Sequence, residues 1–310
     1  MPSLKQVPVF MEEPILSFGE ILYDVFPDTQ RLGGAPFNFA YHLHAFRLPS
    51  ILVSRVGDDS FGRQIRGFVQ DNVGGEGLQI DPLHGTGRVV VEVDEAGIPT
   101  FDILDDVAYD YIAYDSGVEK IVKAPPALIY FGTLAQRHET SRSTLKRVIA
   151  EAGTPICLYD MNLRQPYYSK EIVAWSLTAC HAVKLNDDEL DLCRTFFPYG
   201  GDRESWIAAL MEHFNLDWVC LTRGEGGSVL YGPSGRFKVE SVPRHDVVDT
   251  VGAGDAYTAI LALGILKGWH PETILQRATS FAGAICEERG AIPQADDFYD
   301  PYRSWMEVPA

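Results

Sequence analysis

The sequence is poor in the features that mark disulfide-rich, nucleic-acid-binding and membrane proteins. Its five cysteines are scattered without a C-x-x-C pair, which favours reduced packing residues over disulfides or a zinc site. The net charge of −17 argues against nucleic acid or an anionic membrane as a partner, since either would require a basic face. No apolar run reaches transmembrane length and the start carries no signal peptide, so we expect a cytoplasmic location.

What is present is a long chain of ordinary apolar content. With 310 residues, 46% of them hydrophobic, it can bury one large α/β core plus a small accessory element. After residue 107, apolar runs typical of buried strands alternate with helical segments, which predicts a mainly parallel sheet. These runs cover residues 127–132, 155–160, 182–185 and 218–222. An earlier run, residues 14–24, predicts a first buried strand that emerges at Asp24.

Shorter segments predict a second, smaller sheet. Residues 88–94 alternate in part and residues 100–104 pair back after a turn at 95–97, which is typical of a β-hairpin. Together with residues 25–32, this hairpin is expected to form a sheet outside the main fold. Such a sheet would act as a lid that excludes water from the site.

The most informative stretch is 249–255, Asp-Thr-Val-Gly-Ala-Gly-Asp, which precedes a predicted buried helix at 256–266. Glycines here allow a sharp bend and expose amide N–H groups of Gly252, Ala253 and Gly254, a site for phosphate at a helix N-terminus. Asp255 would repel that anion, so we expect it to accept a proton from a nucleophile. The alternative is a tight turn whose acid only complements the helix dipole.

A second glycine turn, Gly33-Gly34-Ala35-Pro36, opens a predicted helix through about residue 46. Ligands of open α/β sheets bind beyond the carboxyl ends of the strands, where Asp24 and Asn38 are expected to lie. Their carboxylate and amide suit hydroxyl groups. The alternative is that Asp24 caps a turn and Asn38 caps or fills a helix face.

The stretch 249–255 resembles the C-terminal signature of the ribokinase-like (PfkB) sugar kinases. The pattern G-E-x-x-x-D at 19–24, followed by G-G-A-P-x-N at 33–38, resembles the fructokinase branch of that family. The resemblance extends from about residue 15 to 293. It implies a three-layer α/β/α ribokinase-like body with a mainly parallel central sheet and a small β-sheet lid.

The resemblance also divides the chain and implies its activity. The predicted body comprises residues 14–24, 33–84 and 108–310, and the predicted lid comprises residues 25–32 and 85–107. The implied reaction transfers the γ-phosphoryl group of ATP, with Mg²⁺, to a hydroxyl of a ketohexose, fructose first. Alternatives are 2-keto-3-deoxygluconate, another ketose or a nucleoside as substrate, or a ligand-binding relative without turnover. A homodimer through the lid sheet is also implied.

In this family the acid of the signature is the base and the G-A-G amides form the anion hole, which here are Asp255 and residues 252–254. Residues 160–164, D-x-N-x-R, suit a mixed sugar and phosphate site; a turn joined by an Asp–Arg pair is the alternative. Arg88 is assigned to the sugar or its phosphate, with an exposed strand charge as the alternative. The predicted substrate-binding residues are Asp24, Gly34, Asn38, Arg88, Asp160, Asn162 and Arg164.

Asn186 and Glu189 form an N-x-x-E pair that also satisfies a capping box. The resemblance implies instead that Glu189 holds Mg²⁺, acting through water. It further implies Asp249 as a ligand of a monovalent cation such as K⁺, together with backbone near Gly290. The predicted nucleotide-binding residues are Lys184, Asn186, Thr222, Gly224, Gly227 and Gly290.

Overall fold

The computed structural model describes residues 13–93, 99–164, 166–241, 246–295 and 297–306. The strands in these ranges are β1 Ile15–Phe18, β2 Leu22–Val25, β3 Gln30–Gly33, β4 Ser50–Gly57, β5 Leu78–Asp81, β6 Gly87–Val93, β7 Pro99–Ile103, β8 Leu128–Phe131, β9 Ile156–Asp160, β10 Ala182–Asn186, β11 Trp218–Thr222, β12 Ser228–Gly232 and β13 Gly235–Val239. The α-helices are α1 Ala35–Ala45, α2 Ser60–Asn72, α3 Ser116–Lys123, α4 Glu139–Glu151, α5 Lys170–Ala179, α6 Asp187–Phe196, α7 Arg203–Phe214, α8 Ala253–Leu266, α9 Pro271–Ile285 and α10 Asp300–Arg303.

Nine strands form the central sheet, in the order β13-β12-β11-β10-β9-β8-β1-β4-β5. The strands from β11 to β5 in this order run parallel, while β12 and β13 add an antiparallel edge. Every residue of β8 is apolar and buried, as a parallel sheet covered on both faces requires. The mainly parallel sheet predicted from the buried runs is therefore confirmed.

Helices cover both faces of this sheet. One hydrophobic cluster packs α3 to α7 against it, with Leu145 and Trp206 among its buried members. A second cluster packs α1, α8 and α9 against the opposite face, with Phe39, Ile260 and Phe281 buried. The layers are thus helix, sheet and helix, which confirms the predicted three-layer α/β/α body.

A separate four-stranded sheet has the order β3-β2-β6-β7. The predicted hairpin is present as the antiparallel pair β6–β7, and its turn at 95–97 lies outside the described residues. The prediction of one strand over 14–24 is wrong, because β1 ends at Phe18 and Asp24 lies on β2 in the second sheet. Gly19, with φ 148°, turns the chain between the sheets. The exact boundaries between body and lid stay a prediction.

The C-terminal helices differ in part from the sequence prediction. Helix α8 follows the 249–255 stretch as expected, and Gly268 after it takes the left-handed conformation of a helix end, with φ 64°. The sequence predicts a further helix over 282–290, and this prediction is wrong in extent, because α9 begins at Pro271 and ends at Ile285. All five cysteines are free, and within the described ranges no helix has the length and apolarity to cross a bilayer.

Candidate active site

The N-terminus of α8 is shaped by a glycine that no other residue could replace without strain. Gly252 has φ 80°, and a Cβ on it would lie 2.3 Å from the Cβ of Ala291. Within the described chain, the amides of Gly252 and Gly254 have no hydrogen-bond partner, whereas Ala253 N donates to Thr250 O at 3.3 Å. Gly254 is exposed. This turn therefore presents free donors at the positive end of a helix, where an anion can bind.

Asp255 follows these amides and contacts the second glycine turn. Asn38 Nδ2, in the first turn of α1, donates to Asp255 Oδ2 at 2.7 Å. Removal from water raises the pKa of Asp255 to about 6, as does Asp160, while the Asn38 hydrogen bond and the Lys184 and Arg164 charges act in the opposite direction. A carboxylate with this pKa is a better proton acceptor near neutral pH than an ordinary aspartate.

Below the turn lies a buried ion pair. Lys184 Nζ is 3.1 Å from Asp160 Oδ1, and Thr258 Oγ1 donates to Asp160 Oδ2 at 2.8 Å. Burial alone would lower the pKa of Lys184, but Asp160 and neighbouring carboxylates outweigh burial and raise it. Lys184 Nζ also lies 3.3 Å from the position of a Cβ on Gly254, so its positive charge is adjacent to the amide turn. Asp160, predicted as a substrate residue, is fully buried in this network.

Two buried oxygens near Asp255 have no partner. Asn38 Oδ1 and Glu20 Oε2 both lack a hydrogen bond among the described residues. Glu20 lies in the chain between β1 and β2. Burial, with a smaller contribution from the Asp255 charge, raises its pKa to about 7, against the lowering effects of a backbone hydrogen bond and the Arg164 and Arg137 charges. Buried acceptors without partners are rare in native proteins and mark places where a ligand or water completes the bonding. Sequence reasoning missed Glu20, although an acid inside a buried apolar run was a usable signal.

The second sheet contributes Asp24 to the same region. Burial raises the pKa of Asp24 to about 6, while the Arg164 and Arg31 charges lower it. Arg164 is therefore a positive charge close enough to Asp24, Glu20 and Asp255 to act on all three. The chain leaves β9 through Asn162, which has a left-handed backbone with φ 38°. Gly34, with φ 109°, forms the N-cap of α1, and its Cβ would lie 2.6 Å from Glu20 O.

Arg88 does not join this group. It is opposite Tyr23 in the β2–β6 pairing, one position away from Asp24, so its side chain leaves the other face of the sheet. Its guanidinium lies 5.4 Å from the centre of the Phe61 ring on α2. This placement favours the alternative of a strand charge, and the assignment of Arg88 to the substrate stays a prediction.

A cavity of about 700 Å³ adjoins the amide turn. That size is typical of small-molecule sites. Thr222, Gly224 and Gly227 line it, as do Ala253 and Gly254 of the turn. Val247, Ala282, Gly283 and Cys286 also line it and add apolar atoms. A cavity lined by hydroxyl and backbone groups together with apolar atoms fits the phosphates and base of a nucleotide.

Three of the predicted nucleotide residues have other contacts. Asn186 caps α6 by accepting from Glu189 N at 2.9 Å, and Gly290 N donates to Asp249 Oδ2 at 3.2 Å. Asn186, Gly290 and Lys184 are not among the described residues that line the cavity. Their assignment to the nucleotide stays a prediction, although the ammonium of Lys184 is adjacent to Gly254.

Glu189 completes a capping box and is buried. Its two carboxylate oxygens accept from Asn186 N at 2.8 Å and from Leu163 N at 2.9 Å. No cluster of three or more metal-ligating side chains occurs in the described part of the chain. Mg²⁺ in proteins commonly keeps its water and binds through few carboxylates plus phosphate oxygens. The residues therefore fit contact between Glu189 and Mg²⁺ through water, but not a dedicated protein cage.

Residues 9–297 match the family profile described as pfkB family carbohydrate kinase. The chain belongs to this family. Its motif order, its two sheets and its glycine turn at 252–254 thus have a common explanation in a carbohydrate kinase fold.

Three relatives illustrate the similarity. Fructokinase-2 of Zea mays is 28% identical over 308 residues, which cover 90% of each chain. The crystal structure of a fructokinase with bound ATP from Xylella fastidiosa has a TM-score of 0.80 at 19% identity, covering 95% of this chain and 99% of that one. A double mutant of the Vibrio cholerae fructokinase, with fructose, ADP and potassium bound, has a TM-score of 0.74 at 23% identity, covering 93% and 97%.

Proposed function

We propose that this carbohydrate kinase transfers the γ-phosphoryl group of ATP to a hydroxyl of fructose. The observation that carries the proposal is the meeting of the two glycine turns, which pairs Asp255 with Asn38 next to free backbone amides. Fructokinases among the relatives, at 28% and 29% identity over about nine-tenths of the chain, support the choice of sugar.

In the proposed reaction, Asp255 orients the attacking hydroxyl and accepts its proton as the new bond from sugar oxygen to the γ-phosphorus forms. The bond between the γ-phosphorus and the bridging oxygen breaks, and ADP leaves. Free amides of Gly252 and Gly254 stabilise the charge on the transferred group, assisted by the helix dipole and by Lys184. The magnesium ion that accompanies ATP would neutralise charge at the phosphates, and Glu189 would hold it through water.

We assign Asp24, Asn38 and Glu20 to the sugar. The unpartnered oxygens of Asn38 and Glu20 support this assignment, because both are acceptors that hydroxyl groups can satisfy. Arg164 would offset the negative charge of these acids. A ligand rich in hydroxyls therefore suits this site better than an apolar one.

A coupled assay of ADP release over a sugar panel tests the proposal. The panel contains fructose, glucose, ribose, 2-keto-3-deoxygluconate and adenosine, each with ATP and Mg²⁺. We expect the highest kcat/KM with fructose. A higher kcat/KM with any other acceptor would replace fructose as the substrate, and no ADP release with any acceptor would support a ligand-binding relative.

Three further expectations stay predictions. They are a homodimer through the second sheet, a cytoplasmic location and a monovalent cation at Asp249. The first has one feature in its support, the exposed Phe101 on β7. Against the third, a cation at Asp249 would be repelled by the guanidinium of Arg31, which already pairs with this carboxylate.

A further inference from the structure

An arginine of the second sheet forms an ion pair with the 249–255 stretch, which includes the glycine turn at 252–254. Arg31 Nη1, on β3, lies 2.7 Å from Oδ2 of Asp249, the acid that opens the 249–255 stretch. The two residues are 218 positions apart in the sequence. Both side chains are partly exposed, at 31% and 18%, so the contact is partly open to solvent.

Three donors already bind the carboxylate of Asp249, and one of them is a positive charge. Oδ2 accepts from Arg31 and from Gly290 N at 3.2 Å, and Oδ1 accepts from Val251 N at 3.1 Å. A monovalent cation at this carboxylate would also meet the repulsion of the guanidinium. The donor set therefore does not fit the cation site that the sequence resemblance implies.

A positive charge is nevertheless needed at this point. Asp249 comes three residues before Gly252, and an uncompensated carboxylate there would repel the phosphate oxygens that the turn is shaped to receive. The guanidinium supplies that charge, and because it is part of the chain it is present at every salt composition.

Arg31 is held in place from several sides. It is directly opposite Asp24 in the β2–β3 pairing, and its charge lowers the pKa of that acid. Its Cδ lies 3.6 Å from the position of a Cβ on Gly290, and its guanidinium is 4.9 Å from the centre of the Phe26 ring. One side chain thus contacts the sheet that carries a proposed sugar residue and the turn that carries the anion site.

We propose that the Arg31 guanidinium is a built-in cation that takes the place of a monovalent metal ion at Asp249. Catalysis therefore needs no potassium, and the same ion pair holds the second sheet against the turn that precedes α8. The inference rests on the proposed kinase activity for its kinetic test, whereas its thermal test is independent of the substrate.

The first experiment compares the wild-type protein in potassium chloride and in tetramethylammonium chloride at equal ionic strength. We expect the kcat values to agree within about twofold, since screening by the two salts is equal and only specific binding differs. A wild-type enzyme that loses activity without potassium overturns the proposal.

The second experiment uses Arg31→Met, which keeps the aliphatic stem and removes the charge. In tetramethylammonium chloride we expect kcat to fall by about tenfold or more, and potassium to restore much of it. Arg63→Met is the matched control, because Arg63 is an exposed arginine whose only ion pair in the described residues, with Asp58, is long at 3.9 Å. It should respond to neither salt. A loss in Arg31→Met that potassium does not restore overturns the substitution of guanidinium for metal.

A thermal readout separates this proposal from the proposed function. The melting temperature of Arg31→Met should rise when potassium replaces tetramethylammonium, because a cation that binds only the folded state stabilises it. Wild type and Arg63→Met should melt at the same temperature in both salts. This result would stand even if fructose proved to be the wrong sugar, and a potassium-dependent melting temperature of the wild-type protein would contradict the proposal.

Discussion

Asn38 donates a 2.7 Å hydrogen bond to Asp255 although 217 positions separate them. Each residue lies in the first turn of a helix that begins at a glycine turn, α1 for Asn38 and α8 for Asp255. The bond fixes one carboxylate oxygen of the proposed base, and no hydrogen bond to the other oxygen occurs among the described residues. Asn38 therefore acts on Asp255 as well as on the proposed sugar.

The Asn38 amide should set the pH dependence of activity. The Asn38 hydrogen bond lowers the pKa of Asp255, which other effects raise to about 6. Only the ionised acid can accept a proton, so kcat should fall as the pH drops through about 6, by about tenfold per pH unit below it. In Asn38→Ala this fall should begin at a higher pH. A kcat–pH profile of both proteins checks this. An acidic limb at the same pH in both would contradict the proposed effect of Asn38 on the pKa of Asp255.

Asp24 should affect sugar binding more than nucleotide binding. Asp24→Ala removes a proposed acceptor of sugar hydroxyls, so we expect KM for fructose to rise by about tenfold, the effect of one hydrogen bond to a charged group. KM for ATP should change little. Asp102→Ala is the matched control, because Asp102 is an exposed acid on β7 of the same sheet. It is opposite Val90, whereas Asp24 is opposite Val89, so the two acids lie on different faces of the sheet. Equal KM values for fructose in the two variants would exclude Asp24 from the site.

Glu20 should make the folded state less stable at high pH. Burial raises its pKa to about 7 from an ordinary 4.5, so the unfolded chain releases this proton first. Stability therefore declines as the pH rises from about 4.5 to about 7. The loss is a few kcal/mol at most, because a tenfold change in proton affinity corresponds to about 1.4 kcal/mol. Glu20→Gln has no carboxyl group to ionise at this position, so it does not lose this stability as the pH rises.

Denaturant unfolding of Glu20→Gln and wild type at several pH values measures the difference. We expect the variant to gain stability relative to wild type as the pH rises from about 4.5 to about 7, the range between the pKa values of Glu20 in the unfolded and folded chain. A difference that does not vary over this range would mean that Glu20 titrates normally.

Gly252 should tolerate no side chain. In Gly252→Ala the new Cβ would lie 2.3 Å from that of Ala291, in addition to the strain of φ 80°. Gly153 is the matched control, since it has the same φ of 80° and open space around it. We expect Gly153→Ala to cost about 1 to 2 kcal/mol of backbone strain and to keep activity.

Gly252→Ala should cost more than that control and lose kinase activity, because the turn must move to relieve the contact. Melting temperature and kcat of both variants check the comparison. If the two lost the same stability and Gly252→Ala kept its activity, the close approach of the turn to Ala291 would not matter.

The parts of the fold that depend on local chemistry could be predicted from the sequence. Gly252 and Gly254 before an apolar helix, and the buried runs of the parallel strands, are local patterns with one dominant structural solution. The switch between sheets at Gly19 could not be predicted, because a buried run continues through Phe18 to Leu22 and an apolar pattern does not say which sheet it joins. The pairing of β6 with β2 places Arg88 on the face of the sheet away from Asp24, and this pairing between distant strands could not be predicted either.

Contacts between distant residues could not be predicted from the sequence. Asn38 was expected to bind sugar, and nothing local indicated its bond to Asp255. Arg31 gave no signal at all, because its ion pair with Asp249 depends on how the second sheet lies against the body. Glu189 was correctly seen to satisfy a capping box, and that box is present.

The most direct test of the proposed mechanism is the kcat of Asp255→Asn with fructose and ATP. The substitution keeps the shape of the side chain and removes its ability to accept a proton, so kcat should fall by about 10²-fold or more while ATP binding and the melting temperature are retained. A kcat close to that of wild type in a folded protein would contradict the role of Asp255 as the base.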